Sequence, residues 1–128
     1  MIRTASCSCG QLSIACEGEP VRVSVCHCLA CQKRTGSAFG SAAFFLRQRT
    51  AVTGEAQVWT RTGDSGGEAR FSHCPTCGST VFWEPDFRPD RVAVAIGAFA
   101  DPAFPPPDKQ VYAETAHPWV AVSGVVSE

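Results

Sequence analysis

Apolar and polar positions alternate along most of this chain with a period of two, the signature of strands that each bury one face. Leu12, Ile14 and Cys16 alternate with Ser13 and Ala15, which predicts a strand over residues 11–17. Gly18, Glu19 and Pro20 predict a turn. Val21, Val23 and Val25 then alternate with Arg22 and Ser24, predicting a second strand that delivers Cys26 and pairs with the first as a hairpin. The polar, glycine-containing stretch 32–37 predicts a loop or a single helical turn. Residues 38–46, with Phe39, Phe44 and Phe45, predict a strand buried on both faces. A turn is expected at 52–55, a strand at 57–62 and a flexible tip at 62–67. A further strand begins at Ala69 and Phe71 and runs into Cys74. Two more strands follow, at 80–84 and 91–96, separated by the Pro85 to Pro89 break. Three consecutive prolines make 103–107 an extended surface loop. Residues 111–113 form a last short strand, and 123–128 are expected to fray.

Composition narrows this picture to one domain spanning residues 1–128, with its core at about 5–120. Hydrophobic residues make up 45% of the chain and charged residues only 18%, enough to bury a core. Eleven glycines and nine prolines favour turns over long helices, so the expected fold class is mainly β. The formal net charge of -1 and the lack of a basic run leave nothing to neutralise a phosphate backbone, so no nucleic-acid partner is expected. No stretch approaches the roughly 20 apolar residues of a membrane helix, and no membrane partner is expected. Residues 1–6 lack the apolar segment of a secretory signal, which points to a cytoplasmic, reducing location.

In that setting eight cysteines read as metal ligands before disulfides. They fall into three groups and one singlet. Cys7-Ser8-Cys9-Gly10 and Cys74-Pro75-Thr76-Cys77-Gly78 each carry a glycine after the second cysteine, where a backbone wrapping a metal needs positive φ. They are matched half-sites for one structural zinc held by Cys7, Cys9, Cys74 and Cys77. Cys26-His27-Cys28-Leu29-Ala30-Cys31 has no such glycine. Three thiolates and an open position suit a second zinc that is reactive rather than structural. Three thiolates also make the metal a weak Lewis acid that favours a soft incoming sulfur over activated water. A closed second site would need Cys16 or His27 as a fourth ligand. Cys16 shares the apolar face of Leu12 and Ile14 and reads as a small core residue. His27 lies between two ligands and points away from the metal they share, to a supporting or an exposed position. His73 and His117 receive no role.

The order of these motifs carries a resemblance. Cys-x-Cys-Gly comes first, then Cys-His-Cys-x-x-Cys with Thr35-Gly36-Ser37-Ala38-Phe39, then Phe71-x-x-Cys74-Pro75-x-Cys77-Gly78-Ser79. It resembles the glutathione-dependent formaldehyde-activating enzyme family, to which the centromere protein V domain also belongs, from Cys7 to about Trp119. The resemblance implies a single-domain β-tent of short antiparallel strands stapled by zinc. It implies two zinc ions per chain, on the same two cysteine sets that the glycine argument separates, with the second ion open to loss. It also implies a carbon–sulfur lyase activity, the joining of glutathione and formaldehyde into S-hydroxymethylglutathione.

Glutathione has two carboxylates, so cations are expected near the second site. Lys33 and Arg34 follow it directly, and Arg47 and Arg61 are more remote candidates; ordinary solvated surface is the competing reading of all four. Gly36 and Ser37 offer donors to a ligand, or form a plain turn. His27 is the candidate proton source, with solvent as the alternative. Three functions are consistent with the sequence: a zinc-dependent carbon–sulfur lyase-like enzyme acting on a thiol–aldehyde adduct, a non-catalytic carrier of glutathione or another thiol, and a zinc-stabilised protein-interaction module.

Overall fold

A computed structural model describes residues 1–128. The strands are β1 (Ile2–Ser6), β2 (Ser13–Glu17), β3 (Arg22–Cys26), β4 (Gly40–Leu46), β5 (Thr50–Thr53), β6 (Gln57–Thr62), β7 (Glu68–His73), β8 (Thr80–Pro85), β9 (Arg91–Ala95), β10 (Lys109–Val111) and β11 (Val126–Ser127). One helix, α1 (Leu29–Thr35), follows the cysteine triplet. The protein is mainly β, as its alternating pattern predicts.

The strands divide into two sheets. A small sheet has the order β1-β2-β5, and a large one runs β11-β10-β3-β4-β9-β8-β7-β6. Most ladders are antiparallel, but β10 runs parallel to both β3 and β11. The expected hairpin between β2 and β3 does not form. β2 pairs with β1 and β5, while β3 pairs with β4 and β10. The apolar faces of β2 and β3 meet across the core instead: Leu12, Ile14 and Cys16 from one side join Val23, Ala43, Phe45, Phe82, Val92 and Val94 from the other. Placed in different sheets, the two apolar faces cover one another. Full burial of side chains such as Phe45 and Ile14 contributes about 1.5–3 kcal/mol each.

Three segments differ from the sequence reading. Residues 2–6 form an edge strand whose Ala5 is buried. The proline loop is not wholly superficial, since Phe104 is buried and stacks on Phe99 with ring centroids 4.4 Å apart. The expected frayed end is instead pinned by β11 and by Glu128, which bridges Arg22 at 2.8 Å and Lys109 at 3.9 Å.

The pleat of the large sheet decides where chemistry can occur. In β4, Ala43 and Phe45 face the core. Gly40, Ala42 and Phe44 face the other way, into a cavity of about 850 Å³. Arg22, Ser24 and Cys26 of β3 share that outer face, as register partners of Phe44, Ala42 and Gly40. The same row continues as Ala93, Trp83, Phe71 and Trp59 on β9, β8, β7 and β6. The strand expected at 38–46 starts at Gly40, and its two faces are buried or half-buried because one meets the core and the other this cavity wall.

Candidate functional site

Two groups of thiols converge, and in each the sulfurs lie within 4.8 Å of one another: Cys7, Cys9, Cys74 and Cys77 in one, Cys26, Cys28 and Cys31 in the other. All eight cysteines are free thiols. Both clusters offer only soft donors at spacings that one ion can span, so either can hold a metal ion.

In the first cluster the two half-sites are built alike. Gly10 N–H donates to the Cys7 carbonyl at 3.1 Å, and Gly78 N–H donates to the Cys74 carbonyl at 2.8 Å. Both glycines have the positive φ that the motif required, +85° and +81°. Backbone and side-chain N–H groups are aimed at the sulfurs. Leu12 N–H donates to Cys7 Sγ at 3.3 Å, Thr76 N–H to Cys74 Sγ at 3.3 Å, and Gln11 Nε2 to Cys74 Sγ at 3.0 Å. Ser8 and Ser79 hydroxyls clasp the two turns at 2.9 Å. Ser79 lowers the Cys77 thiol to about 5, first through its hydroxyl and then through its backbone N–H. At Cys74 burial is the strongest influence and works against ionisation, yet the N–H groups of Cys77, Gln11 and Thr76 bring it down to about 7. Cys9 moves the other way, to about 11: the Gln11 N–H pulls it down, but hydrogen bonding to Cys7, burial, and the neighbouring Cys74 and Cys77 outweigh that. Cys7 and Cys74 are buried while Cys9 and Cys77 are exposed. None of the four lines the large cavity.

The second cluster is placed by a strand end and a helix start. β3 delivers Cys26, and Cys28 caps α1, its Sγ accepting from Cys31 N–H at 3.3 Å. The helix then carries Cys31 back toward Cys26. The expected single turn is thus a seven-residue helix, closed by Gly36 in the left-handed conformation. All three thiols are half-buried and line the cavity. Cys31 is lowered to about 5, first by hydrogen bonding from Cys26, with burial opposing, and then by Cys28 and the positive charges of Arg34 and Arg61. Cys26 is raised correspondingly, by its hydrogen bond to Cys31 and by burial.

The loop beneath is held by the C-terminal segment. His27 N–H donates to the Val111 carbonyl at 3.0 Å. The His27 carbonyl accepts from Gln32 Nε2 at 2.9 Å and from the Thr115 hydroxyl at 2.8 Å. His117 Nε2 donates to Gln32 Oε1 at 2.8 Å. The His27 ring points away from the thiols, as expected, but it is not exposed. It is 1% accessible, donates from Nε2 to Gln110 Oε1 at 3.0 Å, and does not line the cavity. Cys16 is fully buried in the core, where burial raises its thiol to about 11.

The expected substrate contacts separate in space. Arg34 lines the cavity, as does the remote Arg61. Lys33, Gly36 and Ser37 are exposed and stand outside the cavity wall, and Arg47 is bonded to Glu84. The wall also includes Tyr112, Thr115, Trp83, Arg88 and Arg91, which the sequence reading did not single out. Tyr112 adopts positive φ at +57°, unusual for a side chain of its size, at the mouth of the site. A signal for Arg61 was present in the Trp59-x-Arg61 alternation of a strand, which puts both on one face.

The family model for glutathione-dependent formaldehyde-activating enzyme matches residues 2–115. Among solved structures, the fold is similar to the crystal structure of a Rhodobacter sphaeroides protein studied as a structural genomics target. The two are 22% identical, with 74% of this chain and 85% of that one covered and a TM-score of 0.58. No curated protein matches the chain. No helix is long and apolar enough to cross a membrane.

Proposed function

The chain belongs to the glutathione-dependent formaldehyde-activating enzyme family, and on that premise we propose that it is a zinc-dependent carbon–sulfur lyase-type enzyme that joins a small thiol, glutathione, to an aldehyde, formaldehyde. One observation carries the reading: Cys26, Cys28 and Cys31 converge on the wall of a cavity of about 850 Å³, while the other four clustered cysteines stay outside it. That volume lies within the roughly 300–1,000 Å³ of small-molecule sites.

Cys7, Cys9, Cys74 and Cys77 would hold a structural zinc, and Cys26, Cys28 and Cys31 a second zinc with a position left for ligand. When bound, the second ion supplies a soft seat for sulfur and little Lewis acidity. The chain's own residues do the rest. Phe44 and Trp83 give the cavity an apolar floor, and Arg34 and Arg61 add positive charge beside the thiols. The substrate sulfur forms a bond to the aldehyde carbon, the carbonyl π bond breaks, and the oxygen takes a proton from solvent. His27 is enclosed beneath the loop and does not reach the cavity. A cytoplasmic, reducing setting would keep the thiols available.

The test is the rate of S-hydroxymethylglutathione formation from glutathione and formaldehyde, followed by NMR exchange at chemical equilibrium. A rate above the uncatalysed one that is lost in Cys28→Ala is expected. Thiol binding without acceleration would make the protein a carrier and sink the enzyme reading.

A further inference from the structure

The basic side chains without a carboxylate partner are Lys33, Arg34 and Arg61; each of the others pairs with an acid. Lys33 is exposed and its charge is solvated. Arg34 and Arg61 are different. Both line the cavity of the cysteine triplet, and both carry a buried guanidinium N–H with no hydrogen-bond partner, Nε of Arg34 and Nη1 of Arg61. Arg34 Cζ stands over the aromatic row, 4.4 Å from the Trp83 ring centroid and 5.0 Å from that of Phe71. Arg61 lies 5.3 Å from the centroid of the same Phe71 ring, which is only 3% accessible beneath them. A Cβ at Gly40 would come within 3.1 Å of Arg34 Nη2 and 3.2 Å of Cys31 Cβ, so the glycine permits the close approach of Arg34 and Cys31.

Aromatic faces attract a guanidinium but do not cancel its charge, and a half-buried cation without a counter-charge is costly. The other cations in the cavity wall each have a carboxylate nearby, Arg22 that of Glu128 and Arg88 and Arg91 that of Asp90, although Arg91 stands 4.0 Å from it and its Nε is also buried without a hydrogen-bond partner. The remaining acid in the wall, Asp64, sits on the 62–67 tip and bonds to neither arginine. The missing negative charge is therefore that of the sulfurs. Three thiolates around a divalent cation leave the site one negative charge, and a substrate thiolate brings it to two.

We propose that Arg34 and Arg61 are the counter-charges of the Cys26–Cys28–Cys31 site, one guanidinium for each of those two charges, and that they make the site select a ligand sulfur as thiolate. They act as positioning residues through the sulfurs, not as a cradle for the carboxylates of the substrate. The inference rests on the reading that the triplet holds a metal and accepts a thiol.

The test uses the full chain with cobalt in both clusters, comparing the natural sequence with Arg34→Met, Arg61→Met and Arg61→Lys. At fixed pH, 2-mercaptoethanol, which has no charged group besides its thiol, and 3-mercaptopropionate, which adds a carboxylate, are titrated against thiolate-to-cobalt absorption. Each methionine variant is expected to weaken both thiols by about tenfold or more, with Arg61→Lys restoring most of the loss. Weakening confined to 3-mercaptopropionate would make the pair a carboxylate subsite and overturn the proposal; so would equal binding by all variants. If the natural chain responds to neither thiol, the thiol-binding reading fails separately. The counter-charge is then read from the triplet's cobalt affinity against a chelator, which Arg34→Met should lower about tenfold and which an unchanged value would refute. Unaltered absorption from the outer cobalt reports an intact fold; if Arg34→Met does not fold, the Arg61 variants decide.

Discussion

At Cys7, Cys9, Cys74 and Cys77, two turns from strand ends 65 residues apart close on each other, and N–H groups and a serine clasp surround the sulfurs. At Cys26, Cys28 and Cys31, one strand end and one helix start bring three thiols together within six residues, and their other side opens on a cavity. The same donor atom serves both clusters. What differs is sequence separation and what lies on the far side. A long closed loop makes a bound metal a staple, because it restrains an ensemble that would otherwise be large. A short local cluster restrains little, so a metal bound there would be free to serve a ligand.

The sharpest way to break the comparison is Cys77→Ala. Cys77 is exposed, so truncation leaves no cavity, and any unfolding reports loss of the staple. Structural zinc contributes about 10–16 kcal/mol of apparent binding free energy at pH 7, against a total domain stability of about 5–15 kcal/mol. The variant is expected to lose its cooperative thermal transition, measured by circular dichroism; a melt near that of the natural chain would show that the outer cluster is no staple.

Cys28→Ala comes next. It removes one ligand of the triplet and the N-cap acceptor of α1, a change of about 1 kcal/mol. The variant should stay folded, with Tm lowered by less than about 8 °C, and should lose one metal per chain by elemental analysis. Unfolding of Cys28→Ala together with tolerance of Cys77→Ala would invert the division.

The smallest effect is expected at the cavity rim, far from the staple. Arg22 lowers the Glu128 carboxyl below its ordinary value, chiefly by hydrogen bonding to it, with the charges of Arg22 and Lys109 adding to this. A carboxyl depressed in the folded state adds stability above its unfolded value of about 4.3, and that gain fades as pH falls through the folded value. Glu128→Gln should therefore lower Tm slightly at pH 7 and not at all in strong acid, with both metals retained. A deficit that persists at low pH would assign Glu128 a role other than its charge.

The cysteine sets were legible in the chain because their information is local. A glycine after Cys9 and after Cys77 states a φ requirement in the sequence itself, and both glycines adopt that φ. The one-sided apolar face of residues 12–16 was legible for the same reason, since a period of two needs no partner to be read. Partners are another matter. Nothing in the alternation of β2 and β3 says whether two apolar faces lie side by side or face to face, and the hairpin expectation failed on that point. Likewise Val126 and Ser127 carry no strong strand pattern; they are ordered because β10 lies beside them and Glu128 finds Arg22.

By itself, the sequence determined a mainly β chain and two sets of thiols with different backbone needs. Each of these depends on residue type and short spacing. Only the tertiary structure decided that the triplet faces a cavity on the outer side of the large sheet, and that Arg34 and Arg61 stand over it while Lys33, Gly36 and Ser37 do not. Arg34 and Arg61 lie on different elements, and they share the Phe71 ring because the ladder from β6 to β8 sets Phe71 beside Trp83 and opposite the strand that carries Arg61. Such a meeting is a property of register between strands, and register is settled by packing across the whole sheet. The triplet that was a dense run of cysteines in the chain thus becomes, in the fold, a site with its own unpaired positive charge.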